Sequence, residues 1–298
     1  MKAVVATAAG GPDVLELVDL PDPLPGSGQI RVRVKAAGVQ PFDVGVRQGW
    51  APRGIEIRHP QLLGNEFAGV VDLLGPDVTA FAPGDAVVGF AVLACYAEYV
   101  VVNVDQVVVK PAAMSFEQAG GLSGSGQAAH TALEDLRVGA GDTLLVHAAA
   151  GGVGTVAVQL AKQRGATVIG TAGAANHEYL RELGAIPVTY GPGLVERVRA
   201  VAPNGVDAAL DGAGAEALRA SVELVADRSR IGTLVAFDLV DELGVRALFS
   251  RRSADRLAAL TAAHPRVHVR ATYPLADAAA AHRDVETGHG RGKVVIVP

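Results

Sequence analysis

The sequence predicts an α/β chain of two domains, a β-rich lobe followed by an open, doubly wound parallel sheet, with the tail returning to the first lobe. Three observations carry that prediction. At 298 residues the chain has room for about two domains of ~150 residues each. Its first hundred residues are short β-rich runs separated by Pro-Gly or Gly-Pro pairs at Pro25, Gly75 and Pro83. From about Ser115, helix-length patterns alternate with short buried strands, the rhythm of βαβ units.

In the first lobe the β-rich runs are 3–6, 29–36, 67–74, 86–90 and 97–102. The second domain has strands expected at 143–148, 167–171, 187–190, 208–211 and 232–237. Helices are expected between them at 152–163, 176–183, 193–201 and 216–226. After a further helix at 253–263, the runs 267–271 and 293–297 are too little for a third domain. The expected division is therefore 1–115 with 264–298, and 116–263.

Half of the residues are hydrophobic and only 19% are charged, with 36 Gly and 16 Pro, which excludes disordered, fibrous and coiled-coil chains. A net charge of −5 without a basic cluster argues against nucleic acid or an anionic membrane as partner. The single cysteine, Cys95, excludes an intramolecular disulfide and a four-cysteine zinc site, and points to a reducing compartment. Apolar stretches break well before the ~20 residues of a membrane span, and no secretory signal opens the chain, so a cytoplasmic location is expected.

The most informative stretch is DTLLVHAAAGGVGTVAVQLAKQRGATVIGT, residues 142–171. Ala149, Gly151 and Gly154 occupy the three positions of a G-x-G-x-x-G fingerprint after a buried strand and at the opening of an amphipathic helix. Small residues suit a tight turn, close approach of the backbone at Gly151, Gly152 and Val153 to a pyrophosphate, and packing of helix on strand at Gly154. The helix N-terminus supplies amides and a positive dipole end to the anion. An NAD site usually carries Asp or Glu ~20 residues on; here Gly170-Thr171-Ala172-Gly173-Ala174 carries none. NADPH is therefore the expected cofactor, with Thr171, Asn176, His177 and Tyr190 as candidate partners for its 2'-phosphate. Asn176 also reads as a helix N-cap, and Tyr190 as a residue bordering a loop.

Together with this stretch, AGVQPFDVGVRQG (37–49), LLGNEFAGVV (62–71), PGDAVVGF (83–90), YAEYVVV (96–102) and the tail AHRDVETGHGRGKVVI (281–296) run the length of the chain. On these motifs the sequence resembles the medium-chain dehydrogenase/reductase superfamily, and within it the zinc-independent quinone oxidoreductase group. The resemblance implies a GroES-like β-rich catalytic domain and a Rossmann-type dinucleotide-binding domain. Zinc-dependent relatives place a Cys and a His where this chain reads Gly38-Val39-Gln40 and Gly64-Asn65-Glu66, so no metal site is expected.

Without a Lewis acid, the expected acceptors take a hydride readily, namely quinones or α,β-unsaturated carbonyls. By resemblance the acceptor lies along residues 40–50, in the cleft between the lobes, with Gln40 contacting its oxygen. Asp43 and Arg47, four residues apart, are expected to pair on a short helical turn and shape the site. Trp50 either walls an aromatic acceptor or packs at a domain edge. Gln127 stands where relatives often carry a Thr near the nicotinamide, and Phe237 is a further cofactor candidate. Lys293 resembles the family's C-terminal Lys that faces the cofactor phosphates. Two other readings remain open, an enoyl-thioester reductase and a non-catalytic NADPH-binding sensor; a homodimer is the assembly the resemblance implies.

Overall fold

The structure, a computed structural model, describes residues 1–52, 54–288 and 290–298. The motif at 281–296 thus includes one residue, His289, that lies outside the described ones. In chain order the early elements are β1 (Lys2–Ala6), β2 (Leu15–Asp19), β3 (Gln29–Val39), α1 (Pro41–Arg47), β4 (Gln61–Leu62) and β5 (Glu66–Leu74). They continue as β6 (Ala86–Phe90), β7 (Tyr99–Asn103), β8 (Val107–Val109), α2 (Phe116–Gly120) and α3 (Ser123–Asp135). Next come β9 (Thr143–Val146), α4 (Gly152–Gln163), β10 (Thr167–Thr171), α5 (His177–Glu182), β11 (Ile186–Val188) and α6 (Leu194–Val201). The rest are β12 (Ala208–Asp211), α7 (Ala215–Leu224), β13 (Ile231–Thr233), α8 (Val240–Leu243), β14 (Arg246–Ala247), α9 (Ala254–Ala262), β15 (Val269–Pro274), α10 (Ala278–Glu286) and β16 (Lys293–Val297).

Two compact units result: 1–124 with 252–262 and 267–298, and 125–251 with 263–266. The first is β-rich. Among the described residues its larger sheet has the order β15-β16-β3-β5-β6-β8, with β7 also on β3, and a smaller sheet has the order β2-β1-β4. Along β3, Ile30, Val32 and Val34 face the core while Arg33 and Lys35 face solvent, the period-2 signature of a half-buried strand. From Ala36 to Val39 every residue is buried, because Gly120 of α2 lies against Ala36 and covers the second face. The chain therefore enters α1 from inside the unit, which is how Gln40 and Asp43 come to be sheltered. Pro41 opens that helix at a position whose missing N–H has no helical partner to lose.

The second unit is a parallel sheet of order β11-β10-β9-β12-β13-β14. β10 lies on one side of β9 and β12 on the other, so the strand order reverses at β9, and ligands of such sheets bind beyond the carboxyl ends of the strands at that reversal.

Three expectations are corrected here. Residues 116–124 and 252–262 pack with the first unit, since Ala119, Leu122 and Leu257 bury themselves against Ala68, Val88 and Phe90. Residues 264–266 go with the second unit, where the Gln159 side chain donates to Arg266 O at 3.0 Å and accepts from Arg266 N at 2.8 Å. The strand expected at 232–237 ends at Thr233, whose Oγ1 accepts from Val235 N (3.1 Å) and Ala236 N (2.9 Å) and so turns the chain. A two-residue β14 completes the sheet, too short for any sequence pattern to reveal.

Candidate active site

In the second unit the site is a turn. β9 delivers the buried run Leu144, Leu145 and Val146 to the sheet centre, and the chain then turns through Ala148, held at φ +53°, where L residues are uncommon. Ala148 O accepts from Gly151 N at 2.9 Å and Ala149 N donates to Thr171 O at 3.0 Å, so the turn is tied to itself and to β10. A Cβ on Gly154 would lie 2.4 Å from Ala148 O and 2.6 Å from Ala149 Cα, both backbone atoms, so only glycine lets α4 start this close to the strand. The amides that open α4, at Gly152 and Val153, have no acceptor within the helix and carry the positive end of its dipole. A cradle of this kind fits a dinucleotide pyrophosphate.

Behind the turn, His147 is buried with Nε2 2.9 Å from Ser221 Oγ and Nδ1 3.2 Å from Thr171 Oγ1. Ser221 donates its hydroxyl to Ala217 O at 3.0 Å, so His147 Nε2 must be the donor to Ser221, and Nδ1 accepts the Thr171 hydroxyl. Burial holds the His147 pKa down at about 4, against the opposing pull of Asp211, and the imidazole is neutral. Thr171 thus spends its only proton inward, which corrects its assignment to the 2'-phosphate.

Tyr190 follows β11 and reaches toward the loop after β10. Tyr190 is 56% exposed, and its hydroxyl lies about 4 Å from where a Cβ of Gly173 would stand. Arg197, which sequence reasoning missed, donates to the carbonyls of Thr189, Tyr190, Gly191 and Pro192 and so pins the loop that carries Tyr190. Asn176 takes the N-cap position of α5 without capping it through its side chain. Phe237 stacks on Phe249 at 5.3 Å and stays partly exposed, while Gln127 is buried on α3.

In the first unit the site is a cluster of buried polar side chains around Asp43. This carboxylate accepts from Gln40 N (2.9 Å) and Tyr96 OH (3.1 Å) on Oδ2, and from Asn65 Nδ2 (2.8 Å) on Oδ1. Burial raises its pKa to about 7, against the lowering effect of the Gln40 amide, Lys293 and Tyr96. The expected pair of Asp43 with Arg47 is corrected: Arg47 is fully buried, bonds Glu286 through both terminal nitrogens, and donates to Gly10 O at 3.0 Å. The helical spacing is right, but the two side chains serve different neighbours.

Lys293 is corrected too. It is buried, and its ammonium lies 2.8 Å from Glu66 Oε1, the counter-charge a buried cation requires, rather than presented to a phosphate. Glu66 Oε2 accepts from Gly124 N. Trp50 lies edge-on to Phe42 at 5.3 Å with half its surface exposed, packing on α1. Gln40 Nε2 is buried and makes no hydrogen bond among the described residues.

Sequence reasoning missed Asn65, Glu66, Tyr96, His282 and Glu286. Asn65-Glu66 carried a usable signal, two polar residues inside the apolar run 62–71. The others carried none, being brought in from distant segments.

Residues 26–112 match the family described as alcohol dehydrogenase GroES-like domain, and residues 152–254 the one described as zinc-binding dehydrogenase. The quinone oxidoreductase structure from Coxiella burnetii is 34% identical, covering 100% of this chain and 99% of its own, with a TM-score of 0.88. The chain belongs to the quinone oxidoreductase group of the medium-chain dehydrogenase/reductase superfamily. A mycobacterial protein solved in complex with NADPH is 32% identical, covering 100% of this chain and 100% of its own, with a TM-score of 0.86.

Among curated proteins, the rat synaptic vesicle membrane protein VAT-1 homolog is 36% identical over 72% of this chain and 54% of its own length. Erythronolide synthase of Saccharopolyspora erythraea is 38% identical over 70% of this chain and 6% of its own. The chain thus spans about half the length of the first of these relatives and a small part of the second. Although one matching family is named for zinc, Gln40 and Asn65 offer neither thiolate nor imidazole, and Glu66 is committed to Lys293 and Gly124. Those residues do not fit the ion. Among the described residues no group of three His, Cys, Asp or Glu could hold a metal, and no helix is long and apolar enough to cross a membrane.

Proposed function

We propose that this oxidoreductase uses NADPH, without zinc, to reduce a quinone or an α,β-unsaturated carbonyl. The observation that carries the reading is the turn from Ala148 to Gly154, whose backbone cradle leaves no room for a Cβ at Gly154. When bound, the reduced nicotinamide supplies a hydride; the acceptor gains two electrons and that hydrogen, and a proton from solvent completes the hydroquinone or saturated ketone. Around the acceptor, Gln40 Nε2 donates to the substrate oxygen and stabilises negative charge as it develops there. The uncharged end of β10, with Tyr190 held by Arg197, supports NADPH over NADH.

A second reading has its own support. The likeness to a segment of a mycocerosic acid synthase-like polyketide synthase supports an enoyl thioester as acceptor. Steady oxidation of NADPH, measured after exhaustive chelation with panels of quinones, enones and short enoyl thioesters, decides among these; tight NADPH binding without turnover on any panel would make the chain a sensor instead. Ala172 is buried, so the exposed Ala174 is the place to test cofactor choice. Ala174→Asp is expected to weaken NADPH at least tenfold more than NADH in calorimetry, by repulsion of the 2'-phosphate.

A further inference from the structure

Within the Asp43 cluster, two buried side-chain atoms of opposite hydrogen-bonding sense make no bond to the described residues: Gln40 Nε2, a donor, and Asn65 Oδ1, an acceptor. Buried polar atoms are rarely left so, because each forfeits its bond to water without replacement. Both belong to residues that the same carboxylate holds. Asp43 Oδ2 accepts from Gln40 N at 2.9 Å and Asp43 Oδ1 accepts from Asn65 Nδ2 at 2.8 Å.

The carboxylate also settles which way Asn65 faces. An ionised Asp43 only accepts, so the edge of the Asn65 amide turned toward it must be the NH₂, and Oδ1 is the atom presented on the other side. The Asn65 backbone is fixed as well, its carbonyl accepting from Arg252 Nη1 at 3.0 Å and from Ala91 N at 3.2 Å, and the residue is only 3% exposed. Gln40 is confined in turn by Gly124, where a Cβ would come within 2.0 Å of Gln40 Nε2.

We propose that Gln40 and Asn65 form a two-point seat for a hydroxyl-bearing oxygen, the reduced form of the acceptor's oxygen, and that Asn65 confers the preference for that form. The proposal rests on the reductase reading above. A carbonyl oxygen accepts but cannot donate, so it satisfies Gln40 and leaves Asn65 Oδ1 without a proton. A phenolic or enolic hydroxyl satisfies both, accepting from Gln40 Nε2 and donating to Asn65 Oδ1. Gln40 therefore serves oxidised and reduced ligand alike, whereas Asn65 reads the proton that reduction adds. The ligand class is a hydroquinone or another enol-type product with a free O–H.

The test is calorimetric, at pH 8 so that Asp43 is ionised, anaerobic, and with saturating NADP⁺, using 1,4-naphthohydroquinone and its dimethyl ether as probes. Wild-type protein is expected to bind the hydroquinone roughly three- to tenfold tighter than the ether, the worth of one net hydrogen bond. Asn65→Leu should bring the two within about twofold. Asn65→Thr, which keeps both a donor for Asp43 and an acceptor oxygen, should retain part of the preference and stands in if the leucine variant does not fold. Gln40→Leu should weaken quinone and hydroquinone by a similar factor. Equal binding of the two probes by wild type would mean that the pair holds only a buried water, and would overturn the proposal, as would a preference that survives Asn65→Leu. A preference intact in a protein that fails to oxidise NADPH with any quinone, enone or enoyl thioester would sink the reductase reading and leave the seat standing; normal turnover without any preference would do the reverse.

Discussion

The turn at Ala148–Gly154 and the cluster around Asp43 are made of different material. Main chain builds the turn: carbonyls and amides of Ala148, Ala149 and Gly151, with side chains kept out of the way. In the Asp43 cluster the side chains of α1, of the residue just before β5 and of the segment before β7 meet, joined by the backbone amide of Gln40. A backbone device tolerates little change in shape and much in chemistry. A side-chain device is the opposite, and its weak points are the charges it buries.

That contrast can be broken by mutation, and the largest effect is expected at the turn. Gly154→Ala forces a Cβ onto two backbone atoms that cannot swing aside, so it should cost about 3 kcal/mol in urea unfolding and abolish measurable NADPH binding by calorimetry. Retained binding would show that the turn is looser than its geometry implies. Next comes the buried cation. Glu286→Ala leaves Arg47 without its carboxylate but still bonded to Gly10 O, and Glu286 is a quarter exposed, so a loss of about 2–3 kcal/mol is expected, at the low end for a broken buried pair. A change under 0.5 kcal/mol would mean that water reaches the guanidinium.

A smaller effect separates the two units through pH. His147 and His282 both have pKa values held near 4 by burial, below their unfolded values, so each contributes stability present at neutral pH and lost as pH falls from about 6.5 toward 4. Asp43 runs the other way. Its folded pKa of about 7 lies above the unfolded one, so its contribution grows as pH falls from about 7 toward 4. Asp43 and His282 share the first unit and largely offset each other, whereas His147 in the second has no such counterweight among the groups shifted there. Between pH 7 and 5, wild type should therefore lose about 1–2 kcal/mol more than His147→Asn, read from urea midpoints at the two pH values. Equal losses would place the acid sensitivity elsewhere.

The two sites also differ in how legible they were. Gly151 and Gly154 announce the turn because the constraint is local: a few consecutive residues, a strand before and a helix after. Asp43 and Arg47 were legible as residues but not as partners, since helical spacing says which side chains are neighbours and not which of several carboxylates a buried cation will meet. Thr171 shows the same failure in the other unit, a polar residue at the right strand end whose hydroxyl turns inward to His147. Lys293 shows it again, buried against Glu66 from more than two hundred residues away.

Periodicity, local backbone demands and residue type suffice for the two-domain α/β architecture, the glycine turn at the carboxyl end of β9 and the lack of zinc ligands at residues 40 and 65. That Asn65, Tyr96 and Gln40 share one carboxylate, that Arg47 belongs to Glu286, and which atoms remain unbonded emerged with the folded chain alone. The reason is that hydrogen bonds between side chains act over about 3 Å in space, and nothing in the order of a chain says which distant residues folding will bring within that reach.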